Sequence, residues 1–140
     1  MDDTKNVNDW AIRLIKRHEG YSKFPKPDAK NSVEVGYGTN LTFRGISLGE
    51  AGGLLENDVN RLLDWFSSFP FFARMTDRRK VALIDMAYDV GEAGIDAFTR
   101  MLAWLDAGLY DRAADEMLNS AWANEVPTRA QDDAAMMRRG

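Results

Sequence analysis

Three acidic side chains, Glu19, Asp28 and Glu34, lie in one segment that is rich in Gly, Pro and Lys and poor in core-forming residues. Two carboxyl groups can divide acid–base work: one gives a proton to a leaving oxygen, and the other activates water or attacks carbon. Glycoside hydrolysis needs such a pair. The segment is therefore the first candidate for an active site, although the pairing alone does not identify the reaction.

The first acid is predicted to close a helix. Apolar residues follow helical spacing in DWAIRLIKRHEG, with Asn8 or Asp9 as the N-cap and Gly20 as the stop. Glu19 then lies in the last turn, and we expect apolar neighbours to favour its protonated form, as a general acid requires. Asp28 falls in a polar loop flanked by lysines and should stay ionised.

The third acid lies in SVEVGYG, residues 32–38, where apolar and polar residues alternate with the period of a strand. One face carries Glu34 beside two glycines, whose missing side chains would let a ligand approach the backbone. That face could be the floor of a ligand cleft. The alternative is a small hairpin with a solvated face, in which the glycines serve only the turns.

The rest of the chain reads as helices. Ser47 and Glu50 form a capping box that opens a long helix, and Thr76 can cap another helix that ends at Gly91. We expect an α+β, mostly helical fold with one helix and a β-hairpin at the N-terminus. The expected single domain divides into an N-terminal lobe at about 1–47, a connecting helix at about 48–66 and a helical C-terminal lobe at about 67–140.

Composition excludes several classes of function. The 140 residues carry a net charge of −4 and contain no Cys and one His. Such a chain has little bulk attraction for nucleic acid, no disulfide and little material for a transition-metal site. The start MDDTKNVNDW has acids where a signal peptide has cations, and no apolar run approaches a membrane span. We expect no signal peptide, no membrane insertion, no metal and no cofactor.

The order of these motifs resembles the T4-type phage lysozymes, glycoside hydrolase family 24. The resemblance rests on Glu19-Gly20, on Asp28 nine residues later, and on Glu34-Val35-Gly36-Tyr37-Gly38. It continues through three further segments, which are residues 40–59, 78–100 and 119–130. It implies a lysozyme-like fold, with Glu19 as the general acid and Asp28 as the carboxylate that places or activates water in an inverting hydrolysis.

The same resemblance implies contacts with a glycan. It places Arg129 near Glu19, where it would steady the acid. It assigns glycan contacts to two positions in each lobe, namely Gly38, Asn40, Tyr88 and Asp89.

Glu34 departs from the family pattern, which has Thr at this position. Glu34 could act as the base that activates water or assists it, it could attack the anomeric carbon as a nucleophile, or it could be an engineered substitution. Carboxyl groups about 5 to 5.5 Å apart suit attack by the carboxylate, and about 6.5 to 9.5 Å leaves room for water. We also expect Asp28 and Glu34 to titrate as a coupled pair, one of them with a raised pKa.

The function implied is a muramidase that hydrolyses the β-1,4 bond between N-acetylmuramic acid and N-acetylglucosamine in bacterial peptidoglycan. It would act as an endolysin, held in the host cytoplasm until release to the cell wall, or as a virion-associated lysozyme. We expect a monomer, free or attached to a phage particle, with no nucleic-acid partner. The alternatives are a lytic transglycosylase that uses Glu19 alone and a catalytically impaired wall-binding or structural particle protein.

Overall fold

The computed structural model describes residues 3–140, with the backbone alone for Asp3 and Thr4. This part of the chain forms seven α-helices, one 3-10 turn at Phe72–Arg74 and one three-stranded sheet, which confirms the predicted α+β, mostly helical class. The helices are α1 Asp3–Glu19, α2 Leu48–Phe66, α3 Asp77–Ala97, α4 Thr99–Asp106, α5 Tyr110–Leu118, α6 Ala121–Glu125 and α7 Pro127–Arg139. The strands are β1 Ser22–Pro27, β2 Val33–Gly36 and β3 Thr39–Asn40. Over the same residues, every helix is too short or too polar to cross a bilayer.

Contacts divide the chain into two compact units, Met1–Gly52 and Gly53–Gly140. In the first unit α1 ends at Glu19 as predicted, because Gly20 takes a positive φ of 69° and its N–H donates to the Lys16 carbonyl at 2.9 Å. The predicted N-cap at Asn8 or Asp9 was wrong. The described helix already includes Asp3, so the polar residues before Asp9 do not interrupt the backbone ladder.

The sheet is antiparallel in the order β1, β2, β3. β2 lies in the centre, and its Glu34 pairs with Lys26 on one side and Asn40 on the other. β1 is an edge strand, which suits its two prolines because an edge residue needs no N–H for the ladder. A short sheet of this kind brings Glu34 and Asn40 onto the same face.

The capping box at the start of α2 is confirmed. The Glu50 N–H donates to Ser47 Oγ at 3.1 Å, and the Ser47 N–H donates to Glu50 Oε1 at 2.9 Å. Arg44 adds an ion pair to Glu50 at 2.9 Å. These contacts, with that of Arg44 the largest, lower the pKa of Glu50 to about 2.

The second unit contains the apolar core. Every buried apolar side chain of residues 5–140 lies between Leu62 and Met137. α7 packs against α3 and α5, and Arg79 of α3 donates to the Met137 carbonyl near the end of α7 at 2.7 Å. Gly91, the predicted stop of α3, has a φ of 77° and interrupts the helix, which resumes and runs to Ala97. This packing fixes α3 against α7, the two helices that carry the polar cluster described below.

Candidate active site

Glu19 lies against the turn between β2 and β3. A Cβ placed on Gly38 would be 2.6 Å from Glu19 Oε2 and 2.9 Å from its Cδ. Gly38 also has a φ of 76°, a conformation that side chains disfavour. A side chain at this turn would therefore displace the Glu19 carboxyl group from its position.

The expected apolar environment of Glu19 is wrong, because the residue is exposed. As the last residue of α1, it directs its side chain at the turn rather than into a core. Lys16, one helical turn earlier, places its ammonium 5.1 Å from the centre of the Tyr37 ring. The last turn of α1 thus meets two successive residues of the hairpin, Tyr37 and Gly38.

Asp28 begins the turn between β1 and β2, and its carboxylate accepts three hydrogen bonds. Oδ1 accepts from the N–H groups of Lys30 and Ser32 at 2.8 and 2.9 Å, and Oδ2 accepts from the Ser32 hydroxyl at 2.6 Å. The Ser32 hydroxyl and then the Ser32 N–H are the largest causes of a lowered pKa of Asp28. Asp28 is therefore held as a carboxylate, as the sequence predicts.

Asn40 extends this network across the sheet. Its Nδ2 donates to Ser32 Oγ at 2.9 Å, and its Oδ1 accepts from the Phe43 N–H at 2.9 Å. Ser32 is 1% exposed and is the one buried side chain of residues 5–52. Asn40, proposed from the resemblance as a glycan contact, is therefore also a structural residue that fixes Ser32 and, through it, Asp28.

Glu34 lies on β2 with its side chain 23% exposed, and its Oε1 is 3.7 Å from Lys26 Nζ. The sequence predicted that Asp28 and Glu34 titrate as a coupled pair, and the pKa of Asp28 does not support this prediction. The pKa of Asp28 is lowered, and its causes lie in its own turn, at Ser32 and Lys30. Glu34 itself faces a cation on the neighbouring strand β1.

A second polar cluster lies in the C-terminal unit around Arg129. Arg129 donates from Nε to Asp85 Oδ2 at 2.8 Å, and from Nη2 to Asp85 Oδ1 and the Asp85 carbonyl at 3.0 and 2.8 Å. Its Nη1 is 3.7 Å from Asp89 Oδ1, and Asp89 Oδ2 accepts from Trp122 Nε1 at 2.7 Å. The structure thus brings two predicted residues, Asp89 and Arg129, into one cluster.

Tyr88 lies beside this cluster and is 48% exposed. It lines an apolar cleft of about 480 Å³ together with side chains of α2 and α3, and Asp85 and Arg129 contribute to the same lining. An exposed aromatic ring next to a guanidinium is suited to a polar ligand with apolar faces, such as a sugar.

Sequence reasoning missed three residues, namely Ser32, Asp85 and Asp133. Asp133 is 2% exposed and follows Arg129 by one turn of α7, while Asp85 precedes Asp89 by one turn of α3. An (i, i+4) search from Asp89 and Arg129 would have found both acids. No local signal marks Ser32, since its role depends on the hairpin register.

Helix-end Glu, a hairpin with a fixed Asp, and a helical C-terminal unit together define a small α+β protein with the polar groups for acid–base chemistry. The sequence profile of the phage lysozymes matches residues 16–139. The chain belongs to the phage lysozyme family. It is accordingly a glycoside hydrolase of the lysozyme type, and its substrate class is peptidoglycan.

Two relatives from Dictyostelium discoideum are similar at low identity. "Probable T4-type lysozyme 2" is 24% identical over 132 residues, which are 91% of this chain and 70% of that protein. "Probable T4-type lysozyme 1" is 25% identical over 99 residues, which are 68% of this chain and 58% of that protein. The chain thus spans under two thirds of the second relative's length.

Proposed function

We propose that this chain is a muramidase that hydrolyses the β-1,4 bond between N-acetylmuramic acid and N-acetylglucosamine, with Glu19 as the general acid. The observation that carries the proposal is the close approach of the Glu19 carboxyl group to Gly38, in the same three-stranded sheet whose other turn holds Asp28. Gly38 offers bare backbone there, which a sugar can approach as closely as Glu19 does. A glycan bound over Glu19 would exclude water from the site and place the glycosidic oxygen within reach of the acid.

Asp28 supplies the second carboxylate. Its low pKa keeps Asp28 charged, as the role of base requires, and leaves the role of acid to Glu19. Among the described residues Oδ2 accepts only from the Ser32 hydroxyl, so a lone pair remains for a water molecule. Asp28 then orients or activates the water that attacks the anomeric carbon.

We propose that Glu34 helps Asp28 to activate the water that attacks the anomeric carbon. Glu34 lies opposite Asn40 in the sheet. The Asn40 side chain donates to the Ser32 hydroxyl, which donates to Asp28, so a chain of hydrogen bonds leads from the strand position opposite Glu34 to the second carboxylate. The test compares Glu34→Thr with the parent and follows the anomer first released by NMR. Inversion with a slower Glu34→Thr supports water activation, retention indicates a nucleophile, and equal rates exclude a catalytic role for Glu34.

Glycan contacts are proposed for Gly38 and Asn40 on the hairpin and for Tyr88, Asp89 and Arg129 in the C-terminal cluster. The exposed Tyr88 ring and Arg129 Nη1, which lies 3.7 Å from Asp89 and is too far away for a hydrogen bond to it, support this assignment. Lysis from within as an endolysin and action from a virion are both compatible with these contacts.

Mass spectrometry of fragments released from purified peptidoglycan tests the reaction, with Glu19→Gln as the blank. Hydrated reducing-end muramic acid that depends on Glu19 is the expected product. Anhydromuramic ends would establish the lytic transglycosylase instead. The absence of any Glu19-dependent fragment would overturn the proposal in favour of a wall-binding or structural role.

A further inference from the structure

The Arg129 guanidinium is fixed along one edge only. Nε and Nη2 donate to both carboxylate oxygens of Asp85, a two-point geometry that sets the plane of the group. Nη1 lies 3.7 Å from Asp89, which is beyond hydrogen-bond length. The side chain is 32% exposed, so Nη1 remains available to an oxygen of a ligand.

Asp133 lies behind this pair in the core. It is 2% exposed, its Oδ2 is buried without a hydrogen-bond partner among the described residues, and the Asp85 carboxylate is its charged neighbour, close enough to raise its pKa. Two carboxyl groups can share a hydrogen bond only when one of them carries a proton. Because Asp85 accepts from Arg129, that proton belongs to Asp133.

We propose that Asp133 is a positioning residue: as a buried carboxylic acid it donates a hydrogen bond to Asp85 and thereby fixes the Arg129 guanidinium for glycan binding. Each Asp85 oxygen has two lone pairs, so one oxygen can accept from both Arg129 and Asp133. Loss of the Asp133 proton replaces that hydrogen bond with repulsion between two adjacent carboxylates, and Asp85 can no longer keep both oxygens on Arg129.

The charges around Asp133 support this arrangement. Burial, and then Asp85, raise the pKa of Asp133 to about 8, with Asp132 adding to the rise and Arg129 opposing it. Arg129 is also the largest cause of the lowered pKa of Asp85. Helix α5 also packs on α7. Two of its acids form ion pairs away from Asp133, Asp115 with Arg138 and Glu116 with Arg100. The remaining acid of α5, Asp111, and Glu125 of α6 are exposed.

A first experiment follows the Arg129 Nε–H by NMR from pH 6 to pH 10. We expect a protected signal in the wild type that exchanges faster with solvent, beyond the ordinary base catalysis seen for Arg138, as pH passes about 8. In Asp133→Asn, whose amide can donate to Asp85 at any pH, the extra step should vanish. A wild-type signal that follows Arg138 through the whole range would overturn the proposal, whatever the enzyme's activity.

A second experiment separates KM from kcat on soluble peptidoglycan fragments and rests on the proposed role of Arg129 in glycan binding. We expect the wild-type KM to rise several-fold above pH 8 with little change in kcat, and Asp133→Asn to keep a flat KM. Asp133→Val, which keeps the volume but not the donor, should show a raised KM at every pH. If Arg129→Lys leaves KM unchanged, the binding role of Arg129 fails, while the NMR result still judges the Asp133 hydrogen bond.

Discussion

The acidic residues of the two units show opposite behaviour. In the N-terminal hairpin Asp28 is near solvent and receives three hydrogen bonds, so it stays charged. In the C-terminal unit Asp133 is buried behind Asp85, which raises its pKa to about 8 and keeps it neutral. An Asp carboxyl group stays charged where several hydrogen-bond donors surround it, as at Asp28. Where burial leaves it without such donors, as at Asp133, it stays neutral and can itself donate a hydrogen bond.

The two units also differ in what holds them together. The C-terminal unit has a continuous apolar core, whereas the described part of the N-terminal unit buries only Ser32. The hairpin is therefore specified by turns and polar contacts, and substitutions there should change activity more than stability. Substitutions around Asp133 should change stability more than activity.

The largest effect is expected for Glu19→Gln. The amide cannot donate the acid proton, and general acid catalysis contributes about 10²- to 10⁴-fold to such a reaction. We expect turbidity clearing of cell-wall suspensions to slow by at least about 100-fold, with unchanged thermal unfolding. Glu125→Gln, at an exposed acid of α6, is the control and should retain full activity.

Gly38→Ala should be next, tested against Gly36→Ala. Both glycines have positive φ, 76° and 67°, so the backbone strain is similar, but only a Cβ at Gly38 meets the Glu19 carboxyl group. We expect activity to fall about 10- to 100-fold in Gly38→Ala, as displacements of about 1 Å can do. Equal losses in the two variants would show that strain, and not the position of Glu19, is responsible.

Asp133→Asn should stabilise the protein at alkaline pH. Because its folded pKa lies above the unfolded value, Asp133 favours the folded state most at low pH, and this contribution is lost as pH rises from about 4 to about 8. The amide of Asp133→Asn does not titrate, so this pH dependence disappears. Each pKa unit corresponds to about 1.4 kcal/mol, and the altered contact with Asp85 offsets part of the gain. We therefore expect the free energy of unfolding of Asp133→Asn to exceed that of the parent by about 1 to 2 kcal/mol at pH 8.5. Urea unfolding at pH 5 and pH 8.5 measures this difference. If Asp133→Asn were less stable than the parent at both pH values, Asp133 would not be a neutral acid in the folded protein.

The smallest effect is expected for Ser32→Ala. Loss of the hydroxyl removes the largest cause of the low pKa of Asp28, so that pKa should rise. Since Asp28 must be ionised to act on water, the acid limb of the kcat/KM profile should move to higher pH. Ser22→Ala, which removes a hydroxyl that donates to the Phe24 carbonyl and lies outside the Asp28 network, should leave that limb in place.

The sequence predicted the local features of the N-terminal unit. The stop at Gly20, the strand around Glu34 and the Ser47–Glu50 capping box each depend on residues close in the chain, and each is present. The proposed roles of Glu19 and Asp28 depend more on the family resemblance than on local patterns, which alone do not identify the reaction.

Sequence reasoning did not bring the residues of the C-terminal polar cluster together, for a physical reason. Asp85 and Arg129 are separated by 44 residues and meet only because α3 packs on α7. Asp133 looks like a surface residue in the polar run QDDAAMMRR, yet packing buries it. Likewise, Glu19 was expected among apolar side chains and instead lies exposed over Gly38.

A carboxyl-carbon NMR titration of the wild type, from pH 3 to pH 10 with assigned Asp side chains, tests the contrast between the units most directly. The account predicts that Asp28 titrates below the usual range for Asp and that Asp133 stays protonated until about pH 8. If Asp133 instead titrates with the exposed acids near pH 4, the buried hydrogen bond to Asp85 does not exist and the contrast fails.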